Sequence, residues 1–251
     1  MASSTTMKVP HLGGIVAGYR LSTNEYDPSK PTCVLINSMC TTVMLFEEQF
    51  SNVNLTRATN LLAIEPLGHG ATGCPIEHFT FWDSAIVALQ VMDKLGIDKA
   101  FAAGTSQGGW IIVRMALLAP ERILGLMPLG SSMDSESEDS RTKGAWDPIP
   151  MLKPFYEKWC ISTPDFTVDD VWCSLVIELG FSGKLSEDEV DFWRSTMKNV
   201  YRGDAGRKKI RMALACLLER DGLFMRLRDV QCPVYWLQAS TTTLNCWTFS
   251  E

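Results

Sequence analysis

The chain has 251 residues, 46% of them hydrophobic, which is enough to bury the core of one domain that carries an inserted cap. Its 29 acidic and 23 basic residues are scattered and give a net charge of -6, which argues against nucleic acid or an anionic membrane as a partner. No early segment has the basic start and apolar core of a secretory signal, and no apolar run approaches the ~20 residues that span a bilayer. We therefore expect a soluble, cytoplasmic protein.

Eight cysteines are present, and none of them forms a C-x-x-C pair. Several stand in apolar runs, so we expect reduced and mostly buried thiols rather than disulfides. The histidines and cysteines lack the spacing of metal ligands, and no glycine cluster forms a phosphate loop or a dinucleotide fingerprint. The sequence therefore predicts neither a metal nor a cofactor.

Strand and helix patterns alternate along the first half of the chain. The first ten residues predict a loose leader, and an early strand is expected at residues 14–20. Apolar, β-rich runs predict buried strands at residues 32–37, 60–65, 99–103 and 123–129. Helical spacing of apolar residues predicts helices at 79–95 and 110–119. This alternation predicts an α/β fold, with a mostly parallel sheet and helices on both faces.

The composition changes near residue 135, where a polar and acidic run begins. Amphipathic stretches and several tryptophans follow, so we expect a helical cap at residues 140–215, with the core formed by residues 1–139 and 216–251. Helices are expected at 187–200, beginning at Ser186 or Asp188, and at 207–219. The cap tryptophans either line an apolar pocket or pack the cap on the core. Residues 233–238 return to strand-like composition, and 239–251 show no obvious structure.

Residues 104–108 read Gly-Thr-Ser-Gln-Gly, a G-x-S-x-G pattern between a predicted strand and a predicted helix. A nucleophilic serine must project from a turn so tight that its neighbours cannot carry bulk, and Gly104 and Gly108 meet that need. The helix that follows directs its first N–H groups toward the reacting centre. Ser106 is therefore the candidate nucleophile, although a serine hydroxyl needs an adjacent base to react at neutral pH.

From about residue 15 to residue 240 the chain resembles the α/β-hydrolase superfamily. Three residue groups carry the resemblance: residues 37–39, the turn Gly68-His69-Gly70, and the elbow at 104–109. The resemblance implies that Ser106 attacks, and that the N–H groups of Gln107 and of Met39 or Ser38 form an oxyanion hole. The segment at 131–134 is similar to hydrolases of fungal secondary-metabolite and host-selective toxin clusters. Some of those enzymes are peroxisomal, but the C-terminal tripeptide here is not a peroxisomal signal.

The acid and the base of the expected triad are less visible. In the family, the catalytic acid follows either the last long strand or the strand after the nucleophile helix. The first position would fall in residues 239–245, which hold no carboxylate. The second position is that of Asp134, which is therefore the candidate acid. No histidine follows residue 78, and His11, His69 and His78 read as structural or exposed. Members of the family usually continue further and supply the histidine there. We therefore expect a truncated or frame-altered C-terminus that lacks the last strand and helices.

Two main functional hypotheses follow. The first is a serine hydrolase that transfers an acyl group from an ester or thioester of a small, apolar metabolite to water, with no cofactor. The second is a catalytically impaired protein of the same fold that binds a small molecule or a partner. A third hypothesis, a gene remnant that does not fold stably, predicts no cooperative unfolding transition.

Overall fold

The computed structural model describes residues 4–23, 25–73, 75–134, 137–142 and 146–238. Within these residues one sheet holds six strands in the order β1-β2-β4-β3-β5-β6. The strands are β1 Thr5–Val9, β2 Ile15–Leu21, β3 Thr32–Ile36, β4 Asn60–Ile64, β5 Ala100–Thr105 and β6 Ile123–Leu129. The five strands expected from the sequence, β2 to β6, are confirmed within one or two residues at each end.

The sheet is mostly parallel, as predicted. β3 lies between β4 and β5, β6 follows β5, and all three pairings are parallel. Strand β4 is buried along its whole length and β3 along most of it, which explains their continuous apolar runs. Since parallel strands end on the same edge of a sheet, residues just after β3, β4 and β5 are brought together there.

The predicted loose leader is wrong, because β1 is an ordered strand. Thr5–Val9 pairs antiparallel with Ile15–Leu21, and Val9 is buried at the end of the pairing. The sequence of β1 is half polar and four of its five residues are not buried, so it carried no hydrophobic signal. An edge strand is stabilised by its pairing with a neighbour, which composition alone does not reveal.

Nine α-helices occur in the described residues. They are α1 Glu47–Ser51, α2 Val53–Ala58, α3 Phe81–Lys94, α4 Gln107–Leu118, α5 Glu138–Thr142, α6 Ile149–Trp159, α7 Asp170–Phe181, α8 Glu187–Val200 and α9 Gly203–Leu218. Thr80 begins α3 with a reciprocal capping box to Asp83. Helix α4 begins three residues before the predicted start, so that its first turn directly follows Ser106.

Helices α5 to α9 all lie between β6 and the return of the chain to the sheet, where the cap is expected. Ser186 caps α8, whose bounds agree with the prediction, and its hydroxyl accepts from the N–H of Glu189. Helix α9 is continuous across the predicted boundary at residues 215 and 216, so this boundary lies within a helix. The division into core and cap otherwise stays a prediction.

The chain rejoins the sheet beside β6 after the cap region. Val234 pairs with Leu126 and Leu237 with Leu129, both in parallel orientation, so the strand-like composition of residues 233–238 corresponds to two bridges. The predictions for residues 239–251 lie outside the described residues. Across the part of the chain that the structure covers, no helix is long and apolar enough to cross a bilayer.

Candidate active site

Ser106 occupies a sharp turn between β5 and α4. Its φ of 53° and ψ of -117° are a strained combination for a residue that carries a side chain. Its N–H donates to the carbonyl oxygen of Leu129 at 2.8 Å, while its own carbonyl accepts from the Ser131 hydroxyl at 2.7 Å and the Gly109 N–H at 2.9 Å. Hydrogen bonds on both sides of the residue hold this conformation, as a nucleophile elbow requires.

The glycines of the motif are needed because backbone segments approach each other closely. A Cβ atom on Gly104 would overlap the carbonyl of Gly108, and one on Gly108 would overlap the carbonyl of Ile36 at the end of β3. A Cβ atom on Gly109 would overlap the Ser131 hydroxyl. The first turn of α4 can therefore rest against β3 and β6 only when these positions lack side chains.

A pocket opens beside Ser106, between the strand ends and the cap region. Helices α6, α7 and α9, the loop after β3 and the residue after Leu237 all contribute to its wall. The lining residues are Ser38, Met39, Thr41, Thr105, Ser106, Leu129, Gly130, Trp146, Leu152, Trp172, Leu175, Val176, Leu179, Gly180, Leu217 and Gln238. No charged side chain is among the described residues that line it. The pocket therefore suits an uncharged and largely apolar ligand.

Two cap tryptophans, Trp146 and Trp172, contribute to this wall, whereas Trp159 and Trp193 are buried elsewhere in the cap region. Trp172 is 1% exposed, and its ring lies 4.8 Å from that of Trp159, centroid to centroid. The two uses that the sequence left open are thus both present. Trp172 lines the pocket and packs the cap with the same side chain.

The loop after β3 is closed by hydrogen bonds between its own residues. The side-chain amide of Asn37 donates to the carbonyls of Ser38 at 3.1 Å and Thr41 at 2.9 Å. The N–H of Thr41 donates to the Ser38 carbonyl at 3.2 Å. Met39 lies within this turn and lines the pocket together with Ser106. Gln107 begins α4, and the first N–H groups of a helix have no partner within the helix. Ser106, Met39 and Gln107 are therefore brought together, and the oxyanion role stays a prediction.

His69 lies behind the elbow and is 1% exposed. Its Nδ1 is 3.0 Å from the carbonyl oxygen of Leu67, and its Nε2 is 3.0 Å from the side-chain nitrogen of Gln107. Burial lowers the pKa of His69 to about 4, with a smaller contribution from the positive charge of Lys209. The ring is therefore neutral at pH 7 and is hydrogen-bonded to the side chain of Gln107.

The other two histidines have partners away from the pocket. Nε2 of His11 is 2.9 Å from a carboxylate oxygen of Asp83, and Nε2 of His78 is 3.3 Å from one of Glu219. Within the described ranges, none of the three histidines is hydrogen-bonded to Ser106. The structure therefore assigns no histidine to the role of general base.

Asp134 does not line the pocket and is engaged at the start of α5. Its carboxylate accepts from the Ser137 hydroxyl at 2.6 Å and from the Ser137 N–H at 3.3 Å. Its role as the catalytic acid stays a prediction, and its recorded partners are those of a residue that organises a short helix. Among the described residues, no group of three or more His, Cys, Asp or Glu side chains could hold a metal ion.

A buried carboxylate beside the site, that of Glu65, was not predicted from the sequence. Glu65 is 1% exposed and accepts from the N–H groups of Ala71 at 2.7 Å and Val43 at 3.2 Å. It thereby joins the turn after β4 to the loop after β3. The available signal was the position of Glu65, which directly follows the apolar run 61–64 and stands three residues before Gly68.

Comparisons with known proteins bear on the fold. Residues 31–151 match a family model for the alpha/beta hydrolase fold. Over 123 residues the chain is 24% identical to a protein of Mycobacterium phage D29 that is named as a non-heme haloperoxidase. This match covers 49% of the chain and 44% of the relative, so the chain aligns with less than half the length of that protein.

Solved structures align over a larger part of the chain. The enol-lactonase from Burkholderia xenovorans LB400 superposes with a TM-score of 0.72 at 15% identity, covering 95% of this chain and 93% of the other. A thermophilic esterase from Thermogutta terrifontis gives a TM-score of 0.71 at 15% identity, covering 93% and 79%. At such low identity these likenesses show a shared fold.

Proposed function

We propose that this chain, which has the α/β-hydrolase fold, is a serine hydrolase that cleaves an ester or thioester of a small, uncharged metabolite. Ser106 is the proposed nucleophile. The observation that carries the proposal is the strained and firmly anchored Ser106, placed at the wall of an apolar pocket. Backbone strain of this kind costs about 1–3 kcal/mol, and it is found mostly at sites where a function requires the strained conformation.

The proposed reaction has two steps. The Ser106 oxygen bonds to the acyl carbon, its proton passes to a base, and the electron pair of the C=O bond moves to oxygen. The N–H groups of Gln107 and Met39 would hold that oxyanion, and in known enzymes the loss of one such donor slows the reaction about 10²–10³-fold. The oxyanion then re-forms the C=O bond, the C–O or C–S bond breaks, and the leaving group takes the proton from the base as an alcohol or thiol. Water, losing a proton to the same base, then attacks the acyl carbon, and Ser106 regains a proton as the acid is released.

The wall of the pocket supports the choice of substrate. Its apolar part comes mostly from cap-region residues such as Trp172, Leu175 and Val176, while its polar side chains are uncharged, chiefly hydroxyls and the Gln238 amide. A charged substrate would lose its hydration there without gaining a charged partner. An esterase and an enol-lactonase are among the proteins that share the fold, and both act on ester bonds as their names state.

A second candidate function is binding without turnover in the same pocket. It is favoured by the hydrogen bonds of His11, His69 and His78, all of which are made to groups other than Ser106 in the described part of the chain. Without a base, Ser106 would keep only the contributions of binding and of oxyanion stabilisation. A ligand would then occupy the pocket without an acyl-enzyme being formed.

The biological setting is part of the proposal. The similarity of residues 131–134 to hydrolases of fungal secondary-metabolite clusters supports a place in secondary-metabolite or toxin biosynthesis. In the structure, Ser131 of this segment donates to the Ser106 carbonyl, so the segment belongs to the elbow. The cytoplasmic location stays a prediction.

Intact-mass analysis after treatment with a fluorophosphonate probe tests the proposal directly. A stoichiometric adduct on the wild-type chain that is lost in Ser106→Ala, and kept in Ser51→Ala on the exposed end of α1, supports an activated nucleophile. Both variants should unfold cooperatively, which separates loss of reaction from loss of fold. A folded wild-type chain without an adduct would favour the binding function instead.

A further inference from the structure

We propose that His69 is a positioning residue of this site, and that it acts through the Gln107 side chain to fix the spacing between the elbow and the loop after β3. This inference rests on the proposed function, since that spacing matters where the two segments together hold an oxyanion. A directed series of hydrogen bonds lies behind Ser106, and further contacts hold the turn that carries His69 in place.

The direction of each hydrogen bond follows from the groups involved. The Leu67 carbonyl can only accept, so Nδ1 of His69 carries the ring proton and donates to it across 3.0 Å. The neutral ring then offers Nε2 as an acceptor, and the Gln107 side-chain amide donates to it at 3.0 Å. The same amide group lies 3.4 Å from the carbonyl of Asn37, to which it also donates.

This series of hydrogen bonds connects the two segments that carry the proposed oxyanion donors. Gln107 supplies one donor from its main chain, at the first position of α4. Asn37 begins the loop that contains Met39, and its own side chain holds the carbonyls of Ser38 and Thr41. The Gln107 side chain therefore bridges both halves of the proposed hole, and His69 fixes the rotamer of that bridge.

His69 is itself held by a rigid turn. The Gly68 carbonyl accepts from the Tyr201 hydroxyl at 3.2 Å, and the Gly70 carbonyl accepts from the Lys209 ammonium. Tyr201 directly follows α8 and Lys209 lies in α9, while the carboxylate of Glu65, the residue after β4, accepts from the Ala71 N–H. The turn that presents His69 is thus fixed by contacts from both the sheet and the cap region.

The chemistry at position 69 restricts which side chains can replace histidine. The far end of the side chain must accept from Gln107, so an aliphatic residue of similar size leaves that amide without its partner. Glutamine can place an oxygen near the position of Nε2. His69→Leu should therefore remove the link, and His69→Gln should restore it.

Nitrogen-15 NMR of the histidine side chains tests the geometry without any turnover. The His69 signals, identified by their loss in His69→Gln, should show a neutral ring protonated on Nδ1 and unchanged from pH 8 to pH 5. A ring protonated on Nε2, or one charged at pH 7, would overturn the inference.

Kinetics test the consequence, with p-nitrophenyl butyrate and the fluorophosphonate as probes. We expect His69→Leu and Gln107→Met each to lower kcat about 10- to 100-fold with KM nearly unchanged, since a 1 Å misplacement costs about 10²-fold. His69→Gln should recover most of the rate, and the double variant should be no slower than either single variant.

The outcomes separate this inference from the proposed function. If wild type and Ser106→Ala are equally unreactive, both fail. If wild type reacts and folded His69→Leu matches it, or the double variant shows additive losses, the positioning role alone is refuted. Should His69→Leu not fold, Gln107→Met carries the same test, because it removes the bridge and leaves the buried ring in place.

Discussion

Gly108→Ala is the sharpest test of the elbow's packing. Gly108 lies in the first turn of α4, and an added Cβ atom would overlap the Ile36 carbonyl and closely approach the Asn37 carbonyl. These neighbours are backbone atoms at the end of β3, so no side chain can rotate away. Helix and strand must instead separate by about 1 Å before the contact reaches the ~3.0 Å that real Cβ atoms show.

The expected cost follows from two opposing effects. Overpacking a well-packed region destabilises by about 1–3 kcal/mol, and a clash with backbone belongs at the upper end. Alanine is favoured over glycine within a helix by about 1 kcal/mol. The net loss of unfolding free energy is therefore about 2 kcal/mol, which for a chain of this size lowers Tm by about 4–8 °C.

Thermal and urea unfolding followed by circular dichroism measure this effect. Gly180→Ala in α7 is the matched control, because its Cβ atom would meet nothing within 4 Å and should leave stability unchanged or raise it by up to about 1 kcal/mol. In Gly108→Ala the reaction of Ser106 with the fluorophosphonate should also slow at least about tenfold. A Gly108→Ala chain as stable as wild type would refute the close-approach argument.

Three further predictions concern stability. Burial lowers the pKa of His69 to about 4, whereas an unfolded histidine has a pKa of about 6.5. Between pH 7 and pH 5 the unfolded chain therefore binds a proton that the folded chain does not, and the free energy of unfolding should fall by about 2 kcal/mol. Urea titrations should show a smaller loss in His69→Gln. Trp172→Ala should cost about 3–5 kcal/mol by thermal unfolding, with Trp172→Phe costing less, because the ring is buried against Trp159 and Phe155. Arg114 is fully buried and donates to the carboxylate and carbonyl of Asp221, so Asp221→Asn should cost about 1–3 kcal/mol at pH 7. Burial raises the pKa of Asp221, but hydrogen bonds from Arg114 and Trp82 outweigh this and leave it lowered, so the difference from wild type should be constant above about pH 5 and shrink as the pH falls through the folded pKa.

The sheet could be predicted because its central strands are short, continuous apolar runs. Strands at residues 32–36 and 60–64 are buried on both faces, and burial of this kind leaves a strong signal in the sequence. Strand β1 left no such signal, since its polar edge residues are held by pairing with β2. The early start of α4 was missed for a related reason, because Gly108 and Gly109 are poor helix formers that close packing nevertheless requires.

The nucleophile position could be predicted because it depends on a local pattern of five residues. Its surroundings could not, since they depend on contacts between distant parts of the chain. Tyr201 donates to Gly68 across 133 positions of sequence, and Gln107 meets His69 across 38. The sequence indicated that His69 is structural or exposed, and the residue is indeed buried and hydrogen-bonded. The sequence did not indicate that its partner is Gln107.

That partner changes what a structural histidine means in this molecule. A buried imidazole fixed by a carbonyl on one side is a rigid acceptor on the other, and here the acceptor meets the residue directly after Ser106. The turn that carries His69 accepts hydrogen bonds from Tyr201 and Lys209 of the cap region. Helix α9 contributes Leu217 to the apolar pocket and Lys209 to this turn, so that the pocket wall and the elbow that presents Ser106 are joined through one helix and one short turn.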